Sequence, residues 1–368
     1  MCADAGAATI SNTSSVSSGG ADRRRTHDFH DSPVGSPWKP LFAAWYHEKM
    51  PLFPVAANAF RESIRQPVHA VLIVAGLLAL LLNVNVAAYT LEDDNKLLVD
   101  MGLSTLLVVG MLLAAFTATA TLSREIETKT VLTVVSKPVP RWALVVGKFF
   151  GVAAALGLAY WLLAVTFLIT VRHRVQTSVR VEDTYDGPVL TFGILAAALA
   201  LAIAGAANYL YRRPFPSTFS VAAAVAATGA WGIISCVSRT WQLQHPATDQ
   251  DPQLAIGLVM VFLAVLVLAA VAVAASTRLG RMPTLLVASG TFLLGLVGEY
   301  VLSLADARLA TPLAAMIPNL QLFWPADALT QGHAIPLWHL GWVAAYAMAL
   351  VTAALALAVL LFQSRDVG

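Results

Sequence analysis

The densest chemistry in this chain lies between Ser123 and Gly151, in the run SREIETKTVLTVVSKPVPRWALVVGKFFG. Arg124, Glu125, Glu127 and Lys129 set charges close together, followed by Thr130, while Ile126, Val131, Leu132, Val134 and Val135 supply apolar contacts. Glu125 and Lys129 stand four residues apart in the order that supports a helix. Pro138 and Pro140 stop such a helix and force a turn. Arg141 and Lys148 follow, at a membrane boundary where long stems can carry their charges to water. This is an arrangement for recognition rather than catalysis. A short helix of mixed apolar and charged character needs a protein groove or the headgroup layer for its apolar side.

Elsewhere, polar groups inside apolar runs are the candidates for a transport path. Asn83 and Asn85 lie near the far end of the first such run, Asn208 near the end of the fourth, and Glu299 is the one carboxylate well inside an apolar stretch. Trp161, Trp231 and Trp338 read as packing or interfacial belt residues. His27 and His30, flanked by Asp28 and Asp31, make too poor a ligand set for a metal site and read as part of a solvated tail. The sequence contains no G-x-x-x-x-G-K-[ST] phosphate loop, no H-E-x-x-H and no G-x-S-x-G, so a nucleotide-hydrolysing or membrane-embedded catalytic centre is not expected. Cys2 and Cys236 give no disulfide framework.

These residues must be positioned by membrane helices. Hydrophobic residues make up 58% of the chain and charged residues 12%, with a mean hydropathy of +0.71, against about 25% charge in soluble domains. The fold class is therefore an all-α polytopic membrane protein. Apolar runs of about 20 residues or more fall near 68–90, 100–122, 143–171, 188–210, 216–237, 254–276, 283–304 and 338–362. That makes eight spans, with six as the alternative if the Ala- and Gly-rich pair at 188–237 does not cross. Residues 1–50 read as a disordered polar tail. In 51–66, Phe53, Ala57, Phe60 and Ile64 recur at helical spacing opposite Asn58, Arg61, Glu62 and Arg65, which predicts an amphipathic interfacial helix. Residues 67–368 form the transmembrane domain.

Lys and Arg set the orientation. With the N-terminus in the cytoplasm, only Lys96, Arg172, Arg174, Arg180, Arg239 and Arg308 of the 23 basic residues fall on the outer side. Both termini are therefore expected in the cytoplasm. The net charge of +2 carries no signature of nucleic-acid binding, and the expected surroundings are the lipid bilayer.

The 123–151 run resembles the permeases of type 2 ABC exporters, in which the second span leads into an R-E-[IR]-E-x-[GK]-T segment. A Ser/Lys-Pro-x-x-Arg turn follows, and a G-K-F element opens the third span. Arg124, Glu125, Ile126, Glu127, Lys129 and Thr130 match the first part, Ser136, Lys137, Pro138, Val139 and Arg141 the turn, and Gly147, Lys148 and Phe149 the last. Among relatives, the general pattern is most similar to bacterial permeases associated with multicopper-enzyme maturation. The resemblance implies that Arg124 to Val135, with Leu132 among its contacts, is a coupling helix docking on a separate ABC ATPase. It further implies that Pro54 to Gln66 is a connector helix, and that 317–338 is an outer re-entrant segment. No cofactor is then expected in this chain, with ATP and Mg on the partner subunit, and a second permease copy or paralogue completes the transporter. The chain itself would be no enzyme, and it would sit in a bacterial inner (plasma) membrane. Two rivals of other classes are an ion-gradient-driven transporter using Glu299 as its coupling carboxylate, and a membrane scaffold for an enzyme complex.

Overall fold

The computed structural model describes residues 52–87, 94–127, 140–173, 186–246, 248–304 and 317–363. The tail with His27 and His30, the acidic residues Glu92 and Asp93, and the segment 128–139 lie outside the described residues. Ten α-helices appear among the described residues: α1 (Leu52–Arg65), α2 (Pro67–Ala87), α3 (Asp94–Glu127), α4 (Arg141–His173), α5 (Gly187–Tyr211), α6 (Phe215–Cys236), α7 (Pro252–Ser276), α8 (Arg281–Leu304), the short α9 (Ala326–Thr330) and α10 (Leu337–Gln363). Eight of them, α2 to α8 and α10, are long and apolar enough to cross a membrane. The eight-span expectation therefore stands, and α5 and α6 both qualify where six spans were the alternative.

The helix breaks follow local chemistry. Between α5 and α6, Arg212 takes a left-handed conformation at φ 52° and donates its N–H to Ala207 O. Pro214 and Pro216 then preset the start of α6. Asp186 caps α5 by accepting from the Val189 N–H at 3.2 Å, and Asp251 caps α7 by accepting from the Gln253 N–H at 2.9 Å.

The core is built around α7, whose run from Pro252 to Ser276 carries no charge and is buried over 67% of its apolar span. A helix that is apolar all round belongs in the middle of a bundle or against lipid. Here α3, α4, α8 and α10 surround it. Tyr160 of α4 donates its hydroxyl to Leu258 O at 2.8 Å. Small residues set the closest approaches. A Cβ at Gly110 of α3 would lie 2.5 Å from Val265 Cγ2 of α7, and Gly102 of α3 lies directly against the Phe167 ring of α4. Between apolar helices in lipid, van der Waals contact of this kind supplies the association that water would drive in a soluble core.

Residues 317–335 fold back onto the bundle rather than away from it. Leu320, Phe323, Ala326 and Ile335 are buried. Leu320 donates its N–H to Gly295 O of α8 at 3.0 Å, and Gln321 Nε2 donates to Leu296 O at 2.7 Å. Ile335 donates its N–H to Gln253 Oε1 at the start of α7, at 2.8 Å. This segment thus seals the end of the bundle at which α7 begins.

Candidate functional site

Two regions gather the polar chemistry, one at each end of α4. The first is the junction of α1, α3 and α4. The sequence pattern places Phe53, Ala57, Phe60 and Ile64 on the apolar face of α1. The structure buries only Ile64 of these, together with Ala59 and Ser63, while Phe53 is 62% exposed. Val55, Ala56 and Ala59 lie on Gly147 and Gly151 of α4, in the run Gly147-Lys-Phe-Phe-Gly151. This G-x-x-x-G spacing puts both glycines on one side of the helix and lets the two backbones meet. Large side chains could not occupy that contact, so the small face goes inward and Phe53 stays at the surface.

At the same junction Lys148 is only 4% exposed. Its Nζ donates to Thr121 O of α3 at 2.7 Å, so it does not extend toward water as its position in the sequence suggests. The hydrogen bond ties α3 to α4 a few residues before the charged run begins and just after it ends. Lys148→Met keeps most of the stem and removes the donor. We expect it to cost about 1.5–3 kcal/mol, the range for a hydrogen bond from a charged group, seen as a lower midpoint of heat-induced aggregation in detergent. An unchanged midpoint would show that this bond contributes nothing to the junction.

Arg124, Glu125, Ile126 and Glu127 form the last turn of α3, and Arg141 opens α4; their side chains are outside the described residues. Lys129, Thr130, Leu132 and Pro138 lie wholly outside them. The helix of the second span continues without a break through Glu127.

The second region is a cavity of about 1020 Å³ bounded by α4, α6 and α7. Its body is apolar and aromatic, with Tyr160, Trp161 and Phe262 among the lining residues. Trp161 donates its indole N–H to Thr228 Oγ1 of α6 at 2.9 Å, and the Tyr160 and Phe262 rings lie 5.0 Å apart. Toward the C-terminal end of α4 the cavity becomes polar, with Arg172, Arg239, Asp249, Gln250 and Asp251.

Arg172 is the hub of that end. Its guanidinium donates to Ile234 O and Val237 O at the end of α6. Its Nε lies 3.7 Å from Asp186 Oδ2 and its Nη2 lies 3.7 Å from Asp249 Oδ2. Arg239 Nε lies 3.6 Å from the same Asp186 oxygen, and its Nη2 donates to Arg172 O at 3.1 Å. Asp186 and Arg172 are nearly enclosed, with side chains 1% and 9% exposed. Arg239 and Asp249 are exposed at 44% and 41%. The loop from α6 to α7 is held in place by an antiparallel bridge between Val237 and Leu243. Gln244 Nε2 donates to Asp249 Oδ2 at 2.7 Å, and Gln250 Nε2 to Ser235 Oγ at 2.7 Å.

Three of the candidate transport-path residues have described side chains, and each makes a separate contact. Asn83 is buried and donates to Thr105 Oγ1 at 2.9 Å, linking α2 to α3. Asn85 is exposed and donates to Leu81 O of its own helix at 3.2 Å. Asn208 is exposed and donates to Arg213 O at 2.8 Å, which secures the turn after α5. None of these three lines the cavity. Glu299 sits on α8, and its side chain is outside the described residues. Trp161 and Trp231, expected as packing or belt residues, line the cavity. The charged residues at its mouth were not among the expected sites. The signal was a pair of span ends, Arg172 closing one helix and Asp186 opening the next, and nothing in one dimension says that they meet.

Compared with the curated proteins, the chain matches none. The family model described as ABC-2 family transporter protein matches residues 53–367, which takes in α1 through α10 and the eight apolar helices. This chain therefore belongs to the ABC-2 transporter family, as a multi-pass ABC transporter permease.

Proposed function

We propose that this permease is an exporter subunit of a bacterial plasma membrane, driven by ATP hydrolysis on a separate ABC ATPase and working as a pair of permease copies. The observation that carries the reading is the junction of α1, α3 and α4. The charged run 124–141 leaves the last turn of α3 and returns at the first turn of α4. Lys148 joins those two helices through Thr121 O, and α1 is seated on Gly147 and Gly151. A push on the run from an ATPase would reach two of the helices around α7 together. Rigid packed helices with discrete arrangements are what such coupling needs. In this reading Glu125 and Glu127 meet basic groups of the ATPase, and Pro138 and Arg141 fix the return turn. Both chain termini then face the cytoplasm.

The test is Glu125→Lys with Glu127→Lys, in the full chain purified with its partners from its own cells. The expected result is loss of a co-purifying P-loop ATPase, or of its stimulation by the permease, with the elution profile of the permease unchanged. A double variant that retains a stoichiometric ATPase and full stimulation would refute the assignment of the coupling segment.

A further inference from the structure

We propose that the cavity between α4, α6 and α7 is a binding site for a lipid of the surrounding bilayer, one whose headgroup is zwitterionic. The inference does not depend on ATP coupling, because it concerns occupancy of the permease alone.

The body of the cavity fits a hydrocarbon chain. Ala164 and Leu168 of α4 and Leu254 and Leu258 of α7 line it, and its volume of about 1020 Å³ is at the upper end of the range for small-molecule sites. It lies among spans, so the apolar phase at hand is acyl chain, and apolar walls favour that over water. Gly157 widens it at mid-helix: a Cβ there would meet only Phe262 Cζ, at 3.7 Å.

The mouth selects the head. Arg239 and Asp249 are the exposed members of a network whose buried members, Arg172 and Asp186, are already engaged with one another and with backbone carbonyls. The accessible face thus offers one cation, Arg239, and two carboxylates, Asp249 and Asp251, with Asp249 also accepting from Gln244 Nε2. A purely anionic head meets Asp249 and Asp251 with like charge, and a purely cationic head meets Arg239. A phosphate followed by an ammonium satisfies both, the phosphate at Arg239 and the ammonium at Asp249. Trp231 lines the wall below, just over one turn from the end of α6, where an amphipathic ring suits the change from polar to apolar surroundings, and Trp161 lies deeper, near the middle of α4.

The test uses the full chain in detergent, titrated with phosphatidylcholine or phosphatidylglycerol carrying brominated acyl chains, with quenching of tryptophan fluorescence as the readout. Saturable quenching is expected at phosphatidylcholine concentrations at least five-fold below those needed for phosphatidylglycerol. Trp161→Phe with Trp231→Phe should remove most of the saturable component, which assigns it to the cavity. Gly157→Phe fills the cavity from α4 and Ala255→Phe fills it from an exposed position on α7. Either should raise the half-saturating lipid concentration at least ten-fold, and Ala255→Phe decides the matter if Gly157→Phe does not elute as the parent does. Asp249→Asn should at least halve the preference between the two lipids, because Asp251 keeps its charge. Quenching unaffected by both filling variants would mean lipid contacts only at the outer surface, and equal response to both headgroups would overturn the zwitterionic assignment.

Discussion

An Arg172→Ala chain is expected to lose about 3–5 kcal/mol of stability, the cost of leaving a buried charge without its partner. The side chain fastens the end of α4 to two carbonyls at the end of α6, to Asp186 at the start of α5 and to Asp249 before α7. The Asp249 pair contributes little, because that carboxylate is 41% exposed. The Asp186 pair dominates, because its carboxylate is 1% exposed and keeps only the half-exposed Arg239 as a charged partner, beside the Val189 N–H, once Arg172 is gone. Arg172→Lys should recover less than half of the loss. An ammonium cannot reach two carbonyls and two carboxylates from a planar fork. Adding Asp186→Asn to Arg172→Ala should return part of the stability, because the stranded charge is removed with its partner. The measurement is the midpoint of heat-induced aggregation in detergent for the single variants and the double variant. A change under about 1 kcal/mol for Arg172→Ala, below the usual range for a broken buried pair, would show that the network is not a structural hub.

The second large effect is expected at Gly151. Its Cβ would lie 2.5 Å from Ala59 Cβ and 2.8 Å from Phe60 N, with Ala56 O closer still. Two of these neighbours are backbone atoms, so no side chain can rotate away. Gly151→Ala should cost about 1–3 kcal/mol by overpacking, and Gly151→Leu should lift α1 off α4 altogether. Limited proteolysis after Arg61 and Arg65 reads this directly: cleavage should be at least several-fold faster in Gly151→Leu than in the parent chain. Gly205 on α5 is the internal control. It is also a helical glycine, yet a Cβ there meets nothing within 4 Å. Gly205→Ala should therefore be neutral or stabilising by up to about 1 kcal/mol, the helix propensity difference. If Gly151→Ala proves as harmless as Gly205→Ala, α1 does not sit on α4 as described.

The eight spans were legible because span length and apolar content are properties of consecutive residues. The runs expected at 143–171, 188–210 and 254–276 became α4, α5 and α7 with ends shifted by one or two residues. The family was legible from the run 123–151, since its charges, prolines and glycines are local too. Burial was not legible. The helices α5 and α7 are both apolar all round, yet α5 is buried over 17% of its apolar span and α7 over 67%. Lipid and protein interior are equally apolar, so hydropathy cannot separate a helix facing one from a helix facing the other. For the same reason the pattern of α1 marked Phe53 as its apolar face and left open which side met protein. Contact with Gly147 and Gly151 settled that in favour of Val55, Ala56 and Ala59. Asn208 is a polar residue in an apolar run, and its contact with Arg213 O in the turn after α5 became visible only in the structure. The cavity and its charged mouth needed tertiary structure most of all. Arg172, Asp186 and the pair Arg239 and Asp249 belong to three separate segments, and a charge network exists only where helix packing brings such segments within a few ångströms.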